Sequence, residues 1–352
     1  MQPIWEQRWH PWRREWVIIA AHRSHRPWLG EKTRLQKNNN VPAYEPTCYF
    51  CPRNKRVSGQ INPDYKEPYV FVNDHPPVGP QAPEVEEQAG KLFRRRRASG
   101  IAKVICYTPL HNTSLAEMPV PTIVPVVKCW QEQYREIGNL PEVNHVLIFE
   151  NRGKVVGVSN PHPHCQVYGT NFVFSIIQRE VEAALDYRQQ HKKCIFCTVL
   201  EAEKLDGRRL VYENETHIAF IPFFAQYAYE VVIMPRNHVQ SISQLSESEV
   251  KDFADILHTV LCKYDNLFQI DFPYVMAFHQ APTDGNPHDE YHFHVEIHPP
   301  LRQPNLLKYL AGPEIGGGNI INPTTPEEKA QELREADTVH YKNKINPDSE
   351  NL

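Results

Sequence analysis

The sequence predicts an α+β fold in which one unit, a mainly antiparallel sheet with a crossing helix, is made twice. Three observations predict it: short motifs recur in the same order in both halves, each half carries one long stretch of helical period, and strand-like runs flank those stretches. The first half runs Cys48-Tyr49-Phe50-Cys51, Thr108-Pro109-Leu110-His111, a helical stretch, Asn144 to Asn151, and His162-Pro163-His164. The second runs Cys194-Ile195-Phe196-Cys197, Met234 to His238, a helix, Tyr274 to His279, and His292-Phe293-His294-Val295-Glu296. Chance can produce one such match; four in the same order point to duplication.

Each element has a local cause. In the first half Ile123, Val126, Val127, Trp130, Tyr134 and Ile137 recur at helical spacing. In the second, Ser246 and Glu249 form a capping-box signature, and Val250, Phe253, Ile256, Leu257, Val260 and Leu261 follow on one face through Leu267. The junction falls within residues 171 to 193, in a helical segment from Ser175 to Gln190, which divides the chain into repeats 1–175 and 176–352. Gly316-Gly317-Gly318 reads as a flexible turn before a helix starting near Pro326, and the polar tail after His340 as disordered.

Composition narrows the class. A net charge of −4 and a pI near 6.5 give no basic field for nucleic acid. The run Arg94-Arg95-Arg96-Arg97 reads as a solvated loop. The longest apolar runs, such as Trp16 to Ala21, are far too short for a membrane span, and charges stand where a signal peptide would be apolar, so a cytoplasmic protein is expected. Four of the eight cysteines lie in two Cys-x-x-Cys pairs, which in a reducing compartment suggest metal binding.

Zinc takes tetrahedral sets of thiolate and imidazole, and a two-residue gap lets both sulfurs of a pair reach one ion. Cys48 and Cys51 supply such a pair, with His111 and His162 as the other ligands. By the internal echo, Cys194, Cys197, His238 and His292 form a second set. Of the isolated cysteines, Cys106, Cys129 and Cys262 are expected to pack as small hydrophobes. In Val158 to Val167 the strand-like alternation places His162, His164 and Gln166 on one face, with Pro163 between the histidines. If His162 binds metal, His164 is free for chemistry. A neutral imidazole, with an ordinary pKa of ~6.5, is a nucleophile near neutrality, and an amide at Gln166 would steady the developing phosphoryl charge.

These residues carry a resemblance. Asn160-Pro161-His162-Pro163-His164 followed by Gln166 resembles the active-site signature of the galactose-1-phosphate uridylyltransferase family, the two-repeat branch of the histidine-triad superfamily. Supporting segments are His22 to Trp28, Asn62 to Tyr65, Tyr69 to Asp74, Glu150 to Gly153, Tyr264 to Phe268 and Pro299 to Arg302. The resemblance implies two histidine-triad-like repeats, antiparallel half-barrel sheets with helices outside. It implies ping-pong transfer of UMP from UDP-glucose to galactose 1-phosphate through a uridylyl-histidine, yielding glucose 1-phosphate and UDP-galactose. A nucleotidyltransferase that phosphorolyses ADP-glucose or a dinucleotide by the same chemistry is the alternative. A binding protein without turnover is opposed by the intact pair His164 and Gln166.

Roles follow position by position. His164 is the implied nucleophile and Gln166 its partner. Asn151 and Ser159 match positions that contact the nucleotide phosphates, Asn160 a substrate-binding position, Asn73 and Asp74 the uridine and ribose pocket, and Arg23 and Arg26 a phosphate-binding pair. Lys308, Tyr309, Gly312 and Glu314 match the hexose-binding stretch, which in the family reaches the partner subunit's site and so implies a homodimer. Departures accompany these matches. Cys165 replaces a usual Gly, Tyr309 a usual Phe, and Pro313 a common aromatic. Family members often bind a further metal through Glu and three His. Glu180, His279 and His294 match here, but Glu296 replaces the third histidine, leaving either a Zn2+ or Fe2+ site of altered preference or a hydrogen-bonded cluster without metal.

Overall fold

A single antiparallel sheet of nine strands runs through both repeats. The computed structural model describes residues 4–27, 30, 41–86 and 92–344, so Trp28, one of the residues carrying the resemblance, lies outside them. The first repeat holds β1 (Glu6–His10), β2 (Glu15–Ile19), β3 (Tyr69–Val72), β4 (Gly100–Cys106), α1 (Val120–Gly138), β5 (His145–Arg152) and β6 (His164–Thr170). After α2 (Ser175–His191) and α3 (Ile195–Asp206) come β7 (Leu210–Glu213), β8 (His217–Phe220), β9 (Val231–Pro235), α4 (Glu247–Phe268), β10 (Tyr274–His279) and β11 (His294–His298). The chain closes with β12 (Leu301–Gln303), β13 (Leu306–Leu307), β14 (Ile321–Asn322) and α5 (Pro326–Glu335).

The duplication is visible in the strand order, β3-β4-β6-β5-β10-β11-β9-β8-β7. Reading outward from the centre, β5, β6, β4 and β3 correspond to β10, β11, β9 and β8. The repeats join edge to edge where β5 and β10 pair, Phe149 opposite Ala277 and Asn151 opposite Val275. That pairing removes one exposed edge from each repeat. The two long helices lie side by side over one core that includes Ile123, Val127, Trp130, Phe253, Leu257 and Val260. Burial of those positions follows the helical period read from the sequence. The Ser246 and Glu249 capping box forms as expected.

One hairpin departs from the division by sequence. Although β1 and β2 belong to residues 1–175, β2 pairs in parallel with β14, and the hairpin turn buries Trp12 among Phe196, Phe224 and Tyr291 of the second repeat. Chain order and spatial neighbourhood differ because Ile18 and Ile19 find their open edge at Ile321 and Asn322. The tail departs too. Tyr341–Lys344 forms a 3-10 turn, because the Tyr341 amide donates to Asn266 and Lys342 pairs with Glu117 and Asp271, both at 2.9 Å, and the rest of the expected disordered tail, 345–352, lies outside the described residues. The glycine run continues a π-helical turn, Gly312–Gly316, and only Gly318 has a positive φ, of 79°. The arginine run is spent locally: Arg97 donates to the carbonyls of Pro80 and Ala82 and pairs with Glu84.

Close approach of α1 to the sheet depends on one missing side chain. A Cβ at Gly169 of β6 would sit 2.2 Å from Ile137 Cγ2 and 3.3 Å from Ile101 Cγ2, so only glycine lets the helix lie this low. Gly169→Ala is expected to cost about 1–3 kcal/mol by overpacking. In denaturant unfolding, adding Ile137→Ala should cost less in the Gly169→Ala background than in wild type. Additive losses would show that the two sites are not in steric conflict.

Candidate active site

The site opens at the first residue of β6. The ladder begins with His164 opposite Cys106, since Pro163 has no amide to donate and its carbonyl instead accepts from the Tyr107 amide at 3.0 Å. The face expected for His162, His164 and Gln166 therefore holds only for the latter two. His162 precedes the ladder and turns inward to full burial, while His164 stays partly exposed.

His164 is oriented by its own segment. Its Nδ1 donates to the His162 carbonyl at 2.7 Å, which leaves the Nε2 lone pair as the reactive atom. Phe50, between the two cysteines of the first pair, meets the imidazole edge-on with centroids 4.8 Å apart. Burial holds the His164 pKa below its ordinary value, so the ring is neutral at neutral pH. It faces a cleft lined by Phe149, Asn151, Gly157, Val158, Ser159 and Gln166. Asn151 and Ser159 thus line the same cleft as His164.

Gln166 is held by its oxygen. Oε1 accepts from Asn73 Nδ2 at 3.1 Å and from Tyr168 hydroxyl at 2.9 Å, which leaves the NH2 group as a donor to a ligand. Asn73 thus acts on Gln166. Asp74, beside it, pairs with Arg56 at 3.2 Å and accepts from the Ser58 amide. Asn160 turns its Oδ1 to the His162 amide, at 3.0 Å, and to Cys48 Sγ, so it shapes the histidine segment. Cys165, on the opposite strand face, is buried and accepts from Trp130 Nε1, so its effect is on local packing. Sequence reasoning missed the positioning contacts of Phe50, Tyr65 and Tyr168; aromatic residues in alternating runs carry no local sign of which polar group they will meet.

Both expected Cys2His2 sets come together. In each set the four ligand atoms lie within 4.8 Å of one another. In the first, Cys51 Sγ stands 3.7 Å from His111 Nδ1 and 3.6 Å from His162 Nδ1. His162 Nε2 donates to the Thr108 carbonyl at 2.9 Å, with the Tyr65 hydroxyl at 3.1 Å, so its Nδ1 lone pair is free to face the sulfurs. Burial pushes His162 down to about 3, which keeps it in the neutral ligand form, and the Cys51 thiol up to about 11, from which a bound cation would draw the proton. In the second, Cys197 Sγ lies 3.3 Å from both His238 Nδ1 and His292 Nδ1, and Cys194 caps the N-terminus of α3. The donor sets fit zinc in both places.

Glu180, His279, His294 and Glu296 also converge within 4.8 Å, all four buried. His279 Nδ1 faces the two Glu180 oxygens at 3.0 and 3.1 Å, and Tyr291 donates to Glu180 at 2.7 Å. A residue absent from the sequence reading enters this group: Arg13, also buried, hydrogen-bonds to Glu296. Its only sequence sign was the carboxylate in place of a histidine, which calls for a cation nearby.

The remaining expected substrate residues form a second cleft. Arg23, Arg26 and Arg302 line it together with Lys308, Tyr309 and Glu314. Lys308 donates to the Ile321 carbonyl and lies 3.5 Å from Glu314, and Gly312 begins the adjoining π-helical turn. No lining residue is shared with the His164 cleft, so within one chain the two parts of the expected site stand apart.

Comparison with known proteins covers nearly the whole molecule. Residues 3–173 match the family model "Galactose-1-phosphate uridyl transferase, N-terminal domain", and residues 180–345 match its C-terminal domain model. A galactose-1-phosphate uridylyltransferase of Haemophilus influenzae is 38% identical over 97% of this chain and 99% of its own length. A solved uridylyltransferase structure superposes with a TM-score of 0.76 at 30% identity, covering 94% of this chain and 98% of that one. An ADP-glucose phosphorylase from Arabidopsis thaliana shares the fold, with a TM-score of 0.74, at 22% identity over 96% of this chain and 100% of its own. With both halves matched in order and the His-Pro-His strand in place, the chain belongs to the galactose-1-phosphate uridylyltransferase family.

Proposed function

We propose that the protein transfers the uridylyl group of UDP-glucose to galactose 1-phosphate in two displacements on His164. His164 Nε2 attacks the α-phosphorus of UDP-glucose, the bond to the β-phosphate oxygen breaks, and glucose 1-phosphate leaves. The phosphate of galactose 1-phosphate then displaces the histidine and leaves as UDP-galactose, returning Nε2 to its neutral form. The observation that carries this reading is the Nδ1 hydrogen bond to the His162 carbonyl, which aims a neutral Nε2 into a cleft beside the fixed amide of Gln166. Gln166 donates to the phosphoryl oxygens as charge grows, and Asn151 and Ser159 supply further polar atoms to the nucleotide phosphates. ADP-glucose phosphorolysis by the same histidine is the less favoured reading, since the relative so named shares little beyond the fold.

Cys48, Cys51, His111 and His162 would hold one zinc, and Cys194, Cys197, His238 and His292 a second; both ions would be structural, fixing the segment on which each His-x-His pair stands. Arg23, Arg26 and the stretch Lys308 to Glu314 would bind the sugar phosphate in the active site of a second subunit, which accounts for their separation from His164 in one chain. A homodimer is the assembly this requires. The paired half-barrels of the family fold describe the curvature we infer for each repeat. A reducing cytoplasm suits four thiols kept as ligands, and among the described residues no helix is long and apolar enough to cross a membrane.

Three experiments test this reading. Protein mixed with UDP-glucose labelled in uridine and quenched in base should retain label on a histidine. His164→Ala should retain none and lose turnover by roughly three orders of magnitude or more. Gln166→Ala should label about a hundredfold more slowly. Normal labelling of the His164→Ala variant would overturn the assignment.

Replacing Cys194 and Cys197 together by Ser should remove one zinc per chain and lower the unfolding temperature, while labelling of the folded fraction persists. Unchanged zinc content would reject the second structural ion.

Subunit exchange tests the dimer. His164→Ala and Lys308→Ala proteins should each be poorly active, and mixed heterodimers should recover one intact site. Mixtures that remain as inactive as their parents would place both clefts in service of one chain.

A further inference from the structure

The second repeat copies the geometry of the first and then seals it. His294 begins β11 as His164 begins β6, and its Nδ1 donates to the His292 carbonyl at 2.9 Å, as that of His164 does to His162. Glu296 stands two residues on, where Gln166 stands in the first repeat. The surroundings differ. His294 is wholly buried, with the rings of Trp12 and Phe196 at centroid distances of 4.9 and 5.2 Å. Trp12 comes from the turn between β1 and β2, and so does Arg13.

A metal is the group that the family resemblance implies here, so the donors must be tested for it. The two carboxylates are already engaged by protein donors. Arg13 Nη2 donates to Glu296 Oε2, Arg13 Nη1 to Gln226 Oε1 at 3.2 Å, and Arg13 Nε lies 3.6 Å from Glu180 Oε1. Glu296 Oε2 also faces His298 Nε2 at 3.0 Å. Glu180 Oε2 receives the Tyr291 hydroxyl and faces His279. His294 Nε2 has no hydrogen-bond partner among the described residues and lies 3.7 Å from Glu296 Oε1, within ion-pair reach when the ring is protonated. A guanidinium is charged at every accessible pH and has no lone pair to offer a metal. Buried beside both carboxylates, it would repel a divalent ion in a medium that screens poorly. The residues present do not fit a metal while Arg13 is in place.

We propose that Arg13 replaces the cation of the Glu180, His279, His294 and Glu296 cluster, making it a metal-free polar core that pins the β1–β2 hairpin to the second repeat. The two carboxylates face inward for the same electrostatic reason that would gather them round a metal. Here the charge arrives on a side chain from the hairpin, so closure of the cluster and docking of the hairpin are one event.

Anomalous difference maps at the zinc and iron absorption edges, from crystals of wild-type protein produced with both metals supplied, test this site by site. The expected result is no peak among Glu180, His279, His294 and Glu296. A peak there overturns the proposal, while missing peaks at the cysteine clusters would count only against the zinc assignments above. In solution, His279→Gln should leave metal per chain equal to wild type; loss of one equivalent overturns the proposal. Arg13→Ser, which uncovers two buried carboxylates, should lower the apparent unfolding temperature by roughly 5–10 °C without added metal. It should also bind one extra equivalent of zinc, with recovery of that loss. An Arg13→Ser protein that folds and gains no metal would show that Arg13 is not what keeps the ion out.

Discussion

The hydrogen bond from His164 Nδ1 to the His162 carbonyl is the contact on which the rest of the site depends. It links two residues with opposite demands across one proline. His162 is buried with its Nδ1 turned to a thiol, and His164 is turned outward with its Nε2 bare. A carbonyl is a fixed acceptor with no titration of its own, so the tautomer of the nucleophile is set by backbone geometry. That backbone is in turn held by Asn160, by the Tyr107 amide and by the cysteine loop. Every side chain that holds the segment lies outside the cleft it serves.

The duplication explains how one architecture carries two outcomes. Both repeats begin a strand with a histidine bonded back to the carbonyl two residues before it, and both bring a Cys2His2 set beneath that strand. What separates them is access. The first repeat leaves its histidine at a cleft beside an amide, whereas the second covers its histidine with Trp12 and Phe196 and sets a carboxylate in the amide's place. An amide steadies charge arriving on a ligand, and a carboxylate requires charge already present.

Much of this was legible in the sequence because it is local or repeated. The helical faces of α1 and α4 follow from period alone, and the Cys2His2 sets from spacing plus the echo between halves. All three clusters of potential ligands assemble from the residues named. The register at His162 was misjudged because strand alternation was extended through Pro163, where the ladder had not begun. The separate cleft of Lys308 to Glu314 was suggested by resemblance alone, since no local pattern of its own marks it. Long-range partners such as Arg13 with Glu296, or Tyr341 with Asn266, leave no periodic trace, since each depends on loops brought together by the whole fold.

The parallel pairing of β2 with β14 has a consequence for how the molecule is built. Ile18 and Ile19 are synthesised some three hundred residues before their partners Ile321 and Asn322. At about 5–20 residues per second, the hairpin waits tens of seconds for its edge. Trp12, which ends wholly buried, finds Phe196, Phe224 and Tyr291 only late in that interval, and Trp9 and Trp16 add exposed aromatic surface beside it. All nine strands of the large sheet are synthesised before β14, so the sheet's own pairings do not wait for the β2–β14 contact. Such closure is slow to make for entropic reasons, and it turns local fraying at either end into loss of the same interface.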